Sequence, residues 1–180
     1  MQTLININIK KNTIMKTILQ ILFIQSAAFS FPQNTTPIQK ILQEEVNKEL
    51  KNQFKSDFFE GDTLVVVQNF SINKENVLSL ELKHRFYYGG GYQIEKQEVA
   101  LNQITGIAKD VQILFEAKED AVKITRTNYY DDGRIETVTK QGDLFFTNLK
   151  HEKGNEGFAY TMQKLFKKAS YTIEISRWYD

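Results

Sequence analysis

The chain has 180 residues, with 23 lysines and arginines against 22 aspartates and glutamates, and no cysteine. A formal charge of +1 gives no electrostatic argument for nucleic acid or for an anionic membrane surface. Without cysteine there are no disulfides and no thiolate ligands, so the fold must be held by burial alone.

The first element in chain order is "MKTILQILFIQSAAFSFPQ", Met15 to Gln33, which reads as an export signal. Lys10, Lys11 and Lys16 precede an apolar run from Ile18 to Ile24, interrupted by Gln20, and the first acidic residue of the chain is Glu44. A membrane-spanning helix needs about 20 apolar residues, whereas a signal-peptide core needs roughly 7 to 15. Ala28 and Ser30 would form an A-x-S cleavage site with Phe31 as the mature N-terminus. Met15 is the expected true start, and "MQTLININIKKNTI" before it is either an unused upstream start or a long basic leader. The expectation is therefore a leader and signal peptide over 1–30 and one globular domain over 31–180, periplasmic or secreted, with no membrane span in the mature part. Lipid anchoring is excluded because it would need a cysteine just after the signal. Three of the 23 basic residues and none of the 22 acidic ones precede Phe31, which leaves 20 against 22. The chain has two prolines and no low-complexity tract, so no linker or repeat is marked.

Next, "NTTPIQKILQEEVNKELKNQFK" predicts an amphipathic helix over Thr36–Phe54. Thr36 and Gln39 have capping-box spacing, and Pro37 suits the first helical position. Ile38, Ile41, Leu42, Val46, Leu50 and Phe54 recur every three or four residues and form one apolar stripe.

From Thr63 the period falls to two. In "VLSLELKHRFYY" Leu78, Leu80, Leu82, His84, Phe86 and Tyr88 share one face of a strand, and Ser79, Glu81, Lys83, Arg85 and Tyr87 the other. Further strands are predicted over Leu64–Ser71, Tyr92–Ala100, Val111–Ala117, Ala121–Tyr130, Arg134–Lys140 and Asp143–Leu149. Their separators, "NKEN", "GGG", "KED", "DDG" and "QG", carry turn chemistry, with Asp132 and Gly133 marking a tight turn that needs positive φ. Asn155 is the expected cap of a last helix whose stripe is Phe158, Met162, Leu165, Phe166 and Ala169. Residues 171–176 read both as strand and as helix; the expectation is helix to about residue 171, then a short extended end.

Seven antiparallel strands followed by one amphipathic helix resemble the pleckstrin-homology-like barrel, in which the helix plugs an open end. "VALNQITGIAKDVQILFEAKEDAVKIT" followed by "FAYTMQKLFKKA" is similar in texture to small exported proteins of Bacteroidota. The predicted class is α+β: a seven-stranded antiparallel meander or PH-like barrel with a C-terminal helix and an extra N-terminal one. The alternative is a layer with both helices on one face of a curved antiparallel sheet.

Chemistry is sparsely marked. There are two histidines. "HEKGN" at His151 begins like a zinc-binding H-E-x-x-H, but Asn155 stands where the second histidine is needed. His84, on an apolar strand face, is expected to be partly buried and bonded to backbone or a hydroxyl. No nucleophile elbow or phosphate-binding loop occurs. Glu81, Glu95 and Glu98 are expected at solvated outer-face positions. No catalytic residue, metal ligand or cofactor is therefore predicted. "KHEKGNEGFAYTMQKLFKK" mixes basic and aromatic residues and is read as a solvated helix face, without nucleic acid as a partner. "NTT", "NFS" and "DTL" match short glycosylation patterns.

The remaining candidate is aromatic. Tyr87, Tyr88 and Tyr92 flank the glycines of "RFYYGGGYQ", and Tyr129 and Tyr130 beside "DDG" would extend their patch if the two hairpins lie at one end. The plainer reading is that tyrosine is favoured in strands. The functional expectation is an exported, non-enzymatic binding or interaction domain for a protein or small ligand. The alternative is a small exported hydrolase whose carboxylates converge only in the fold.

Overall fold

A computed structural model describes residues 35–52, 64–86, 90–150 and 153–179. The expected signal segment and its cleavage position lie outside the described residues, as do Phe54, Tyr87, Tyr88 and His151. Residues 34–180 cluster as one unit.

The described residues form two helices and nine strands in a mixed α+β arrangement. In chain order they are α1 (Thr36–Asn52), β1 (Val65–Ile72), β2 (Val77–Arg85), β3 (Gly91–Ala100), β4 (Ile104–Lys109), β5 (Ile113–Ala117), β6 (Val122–Tyr130), β7 (Ile135–Gly142), β8 (Leu144–Leu149), α2 (Glu156–Lys168) and β9 (Glu174–Trp178). They do not close into a barrel. Sheet A has the order β1-β2-β3-β6-β7 and is antiparallel throughout. Sheet B has the order β8-β5-β4-β9, with β4 and β9 parallel. The order departs from an unbroken seven-strand meander because β4 and β5 leave sheet A after β3 and found the second sheet. Strand β4 adds to the seven expected, and β9 falls in the short extended end expected after the last helix.

The β2 alternation sets the inner side of sheet A. Leu78, Leu80 and Leu82 are buried there, beside Val99 of β3 and Val122 of β6. A chain of phenylalanines then crosses the core. Phe70 of β1 lies 6.4 Å from Phe145 of β8, Phe145 lies 6.4 Å from Phe115 of β5, and Phe115 lies 5.7 Å from Phe166 of α2. All four are fully buried, each contributing about 1.5–3 kcal/mol of transfer free energy.

Helix α1 buries Ile38, Leu42 and Val46, as its stripe predicts. The capping box gives way to another use of Gln39. The Thr35 carbonyl accepts from the Ile38 and Gln39 amides, while Gln39 Oε1 accepts from the Ile72 N–H at 2.9 Å. One turn later Gln43 Nε2 donates to the Phe70 carbonyl at 2.7 Å. Two glutamine amides thus satisfy outward backbone groups of β1, an edge strand of sheet A, which would otherwise be open to another chain.

Helix α2 buries Ala159, Met162 and Phe166, with Leu165 only partly covered. Asn155 stands before it without a side-chain cap bond; its Oδ1 accepts instead from Lys109 Nζ of β4 (3.0 Å) and Trp178 Nε1 of β9 (3.2 Å). The helix also stops at Lys168, short of the expected residue 171. Ser170 takes the left-handed conformation (φ 64°), its N–H reaches the Lys167 carbonyl, and the Tyr171 N–H reaches the Phe166 carbonyl. This is a Schellman ending with serine where glycine is usual.

Candidate functional site

The β3–β6 register decides which tyrosines meet. Tyr92 pairs with Tyr129, and Gly91 with Tyr130, so the glycine-flanked end of β3 and the "DDG" hairpin lie at one end of sheet A. Alternation then divides the aromatics. Tyr92 and Tyr129 project from the outer side, with rings 4.7 Å apart and 16° from parallel. Tyr130 projects from the inner side, with its ring 5.6 Å from Phe86. The Arg134 guanidinium lies 4.0 Å over the Tyr130 ring, and the Tyr130 hydroxyl donates to Glu136 Oε2 at 2.9 Å. The structure therefore brings Tyr92 and Tyr129 together and sets Tyr130 apart; Tyr87 and Tyr88 fall outside the described residues.

The outer-side row runs across four strands as Arg85, Tyr92, Tyr129 and Ile135. Lys83, one register step along β2, places its Nζ 3.7 Å from the centre of the Tyr92 ring. Tyr92 is thus held between an ammonium and a second tyrosine, and such a cation–π contact is worth about 0.5–2 kcal/mol depending on exposure. No carboxylate among the described residues pairs with Lys83 or Arg85, although Lys96 and Lys123 on the same side both reach Glu98, at 2.7 and 3.8 Å. Neither of the cavities described below is lined by Tyr92, Tyr129 or Tyr130.

The glycines here serve the chain's own packing. A Cβ on Gly91 (φ 113°) would overlap the Tyr129 carbonyl oxygen, so glycine permits the β3–β6 pairing that stacks Tyr92 on Tyr129. Gly133 (φ 81°) closes the β6–β7 hairpin, where its N–H donates to the Tyr130 carbonyl and the Tyr130 N–H donates to the Arg134 carbonyl. This is a three-residue loop with a glycine bulge, so positive φ is needed at Gly133 and not at Asp132.

The carboxylates are arranged differently from expectation at Glu95. Glu81 and Glu98 share the outer side, but Glu95 lies on the inner side opposite Leu82. There it binds Arg126 Nε at 2.6 Å and accepts from Gln97 Nε2 at 3.0 Å, with its side chain 12% exposed. The signal that could have found this is parity, since Glu95 and Gln97 alternate in step with Val99, a core residue. His84 also faces inward and is partly buried, opposite Gln93; among the described residues its ring has no hydrogen-bond partner, against the expected bond to backbone or hydroxyl.

Two cavities lie elsewhere among the described residues. One of about 360 Å³ lies between α1 and the start of α2, lined by Glu44, Glu45, Glu49, Ile41, Leu149 and Phe158 among others. Its carboxylates have structural ties: Glu45 to Lys48 Nζ at 2.6 Å and Glu49 Oε2 to the Lys150 N–H at 3.1 Å. The other, about 610 Å³, is a groove between α2 and β9 lined by Tyr160, Gln163 and Trp178. Among the described residues no cluster of three His, Asp or Glu side chains could hold a metal ion, and no helix is long and apolar enough to cross a membrane. No protein-family model, curated protein or solved structure matches the chain.

Proposed function

We propose that the chain is an exported, non-enzymatic binding domain. Its ligand surface is the Arg85–Tyr92–Tyr129–Ile135 end of the outer side of sheet A, and its partner carries carboxylates. The observation that supports this most directly is the Lys83 ammonium over Tyr92, with no carboxylate paired to it among the described residues. Both ring faces of Tyr92 are taken, one by Lys83 and one by Tyr129. What the row offers a ligand is therefore ring edges, phenolic hydroxyls and two cations, which suits an acidic polymer or acidic protein surface better than the stacking of a sugar or base. The hydrolase alternative would need carboxylates free to face a substrate, and Glu44, Glu45 and Glu49 in the α1–α2 cavity are paired with Lys40, Lys48 and the Lys150 backbone. Export rests on the Met15–Gln33 pattern, and intact mass of protein from its native host tests it: a mature chain retaining Met15 would refute it.

The binding reading is tested by titrating poly-L-glutamate into the protein while following the amide resonances of β2, β3 and β6. The expected result is a localised response at Lys83, Tyr92 and Tyr129 that weakens as salt is added. Lys83→Gln with Arg85→Gln should abolish the response, while the melting temperature falls by no more than the loss of the Lys83–Tyr92 contact, about 0.5–2 kcal/mol, allows. Shifts confined to the other side of the sheet, or none at all, would sink the reading.

A further inference from the structure

The edge strands differ in how they are finished. The β1 edge carries the amides of Gln39 and Gln43, and on β8 the Phe146 backbone is paired by the Gln97 side chain. The β7 edge of sheet A has no such cover among the described residues, and Ile135 through Gln141 are all exposed. Its sequence, "IETVTKQG", is rich in β-branched residues, and Ile135 and Val138 are 61% and 48% exposed. An exposed strand of this length and composition is a template for pairing.

The outward-facing groups of β7 follow from its hairpin. The Tyr130 N–H donates to the Arg134 carbonyl, so Tyr130 and Arg134 form a hydrogen-bonded pair. Antiparallel alternation then directs the backbone groups of Glu136, Val138 and Lys140 toward β6, and those of Ile135, Thr137, Thr139 and Gln141 away from it. We propose that this edge is a self-association surface: β7 pairs antiparallel with β7 of a second copy about a two-fold axis through Val138. In that register Thr137 meets Thr139 of the copy, Val138 meets Val138, and Glu136 meets Lys140 twice, once on each side of the axis.

Charge selects this register from its neighbours. One step in one direction sets Lys140 against Arg134, and one step in the other sets it against Val138. Two steps set Glu136 against Glu136 or Lys140 against Lys140, which opposes like charges directly. Lys140 has no ion-pair partner within its own chain among the described residues, whereas Glu136 already holds Arg134 Nη1 at 2.8 Å. Of these five registers only the one centred on Val138 sets Glu136 against Lys140, and three of the others oppose like charges, so the strand is suited to a second copy of itself. The axis stands perpendicular to the sheet, so both copies keep the Tyr92–Tyr129 row on the same side of a continuous double-width sheet. This inference does not depend on what that row binds.

Sedimentation equilibrium of the full chain tests it, alongside oxidative cross-linking of a Val138→Cys variant, in which the engineered cysteine has no competitor because the chain has none of its own. The expected result is a monomer–dimer equilibrium. Lys140→Glu should raise the dimer dissociation constant about ten-fold, since it turns two attractive cross-strand pairs repulsive. Adding Glu136→Lys to that variant should restore association. Val138→Cys should cross-link to itself under mild oxidation, and Lys140→Cys, which faces Glu136 of the copy, should not. A chain that stays monomeric at every concentration, or a dimer indifferent to Lys140→Glu, overturns the proposal; the first outcome would leave the β7 edge to a foreign strand.

Discussion

Tyr171 meets Phe166 twice: its N–H donates to the Phe166 carbonyl at 2.9 Å, and its ring stands edge-on to the Phe166 ring with centroids 6.3 Å apart. The backbone bond ends α2, and the ring contact supplies the apolar clasp that accompanies Schellman endings. Since Phe166 also reaches Phe115 at 5.7 Å, one residue joins the helix end to sheet B.

Phe166→Ala should therefore cost about 3–5 kcal/mol, the range for emptying a core aromatic site. Lys167→Ala, one residue later on the exposed side, should stay within about 0.5 kcal/mol. Urea denaturation of the two variants checks this, and equal losses would mean that α2 turns a different face to the core.

Ser170 occupies a left-handed conformation (φ 64°) that costs an L-residue roughly 1 kcal/mol and glycine little. Ser170→Gly should raise stability by about 0.5–1 kcal/mol, after allowing for the greater freedom of glycine in the unfolded chain. A lower urea midpoint in the glycine variant would mean that the serine side chain holds the ending together.

Burial raises the Tyr171 hydroxyl above its ordinary pKa of 10.0. A group whose folded pKa is raised binds its proton more tightly when folded. Its contribution is complete below the unfolded value, near pH 10, and is lost as pH climbs toward and through the folded value. Stability should accordingly fall as alkali is added from about pH 10. Tyr171→Phe should have a shallower decline than wild type over that interval, read as melting temperature against pH. Parallel curves for the two proteins would show that Tyr171 ionises equally in both states.

Gln97 is 1% exposed and uses both ends of its amide on one residue of the other sheet. Its Oε1 accepts from the Phe146 N–H at 2.8 Å, and its Nε2 donates to the Phe146 carbonyl at 3.2 Å. A side chain of sheet A thus stands in for a neighbouring strand at the edge of sheet B. Gln97→Leu keeps the volume and strands those backbone groups, so it should cost about 1–3 kcal/mol in a denaturant titration. An unchanged midpoint would mean that water replaces the amide at no cost.

What was legible in the sequence was local. The three-to-four spacing of Ile38, Leu42 and Val46 and the alternation of Leu78, Leu80 and Leu82 each report one buried side, and periodicity reads such sides directly. Strand β4 escaped because "ITGIAK" is buried at Gly106, Ile107, Ala108 and Lys109 in succession, which leaves no alternation to find. The end of α2 was misplaced because serine, not glycine, takes the left-handed position. Glu95 was misread because a carboxylate on a strand suggests solvent, yet it faces inward and holds Arg126 and Gln97, the residue that reaches across to Phe146 of sheet B. The stacking of Tyr92 on Tyr129 was visible only as a possibility of shared ends, since it depends on a register between strands that the whole β4–β5 excursion separates.

The parallel pairing of β9 with β4 has a further consequence, for the order in which the molecule assembles. A hairpin such as β6–β7 brings near neighbours together and can form and reform locally. Gly106 and Glu174, by contrast, meet only after β5, β6, β7, β8 and α2 have been laid between them. Loop-closure entropy makes such a contact slow to form and unrewarded until the intervening elements are in place. Until β9 arrives, the β4 edge that holds Ile107 has an unmatched ladder, and Trp178 cannot reach Asn155 to brace the start of α2. The last described strand therefore acts as a latch on sheet B, added after hairpins such as β4–β5 and β6–β7, whose strands are near neighbours in the chain.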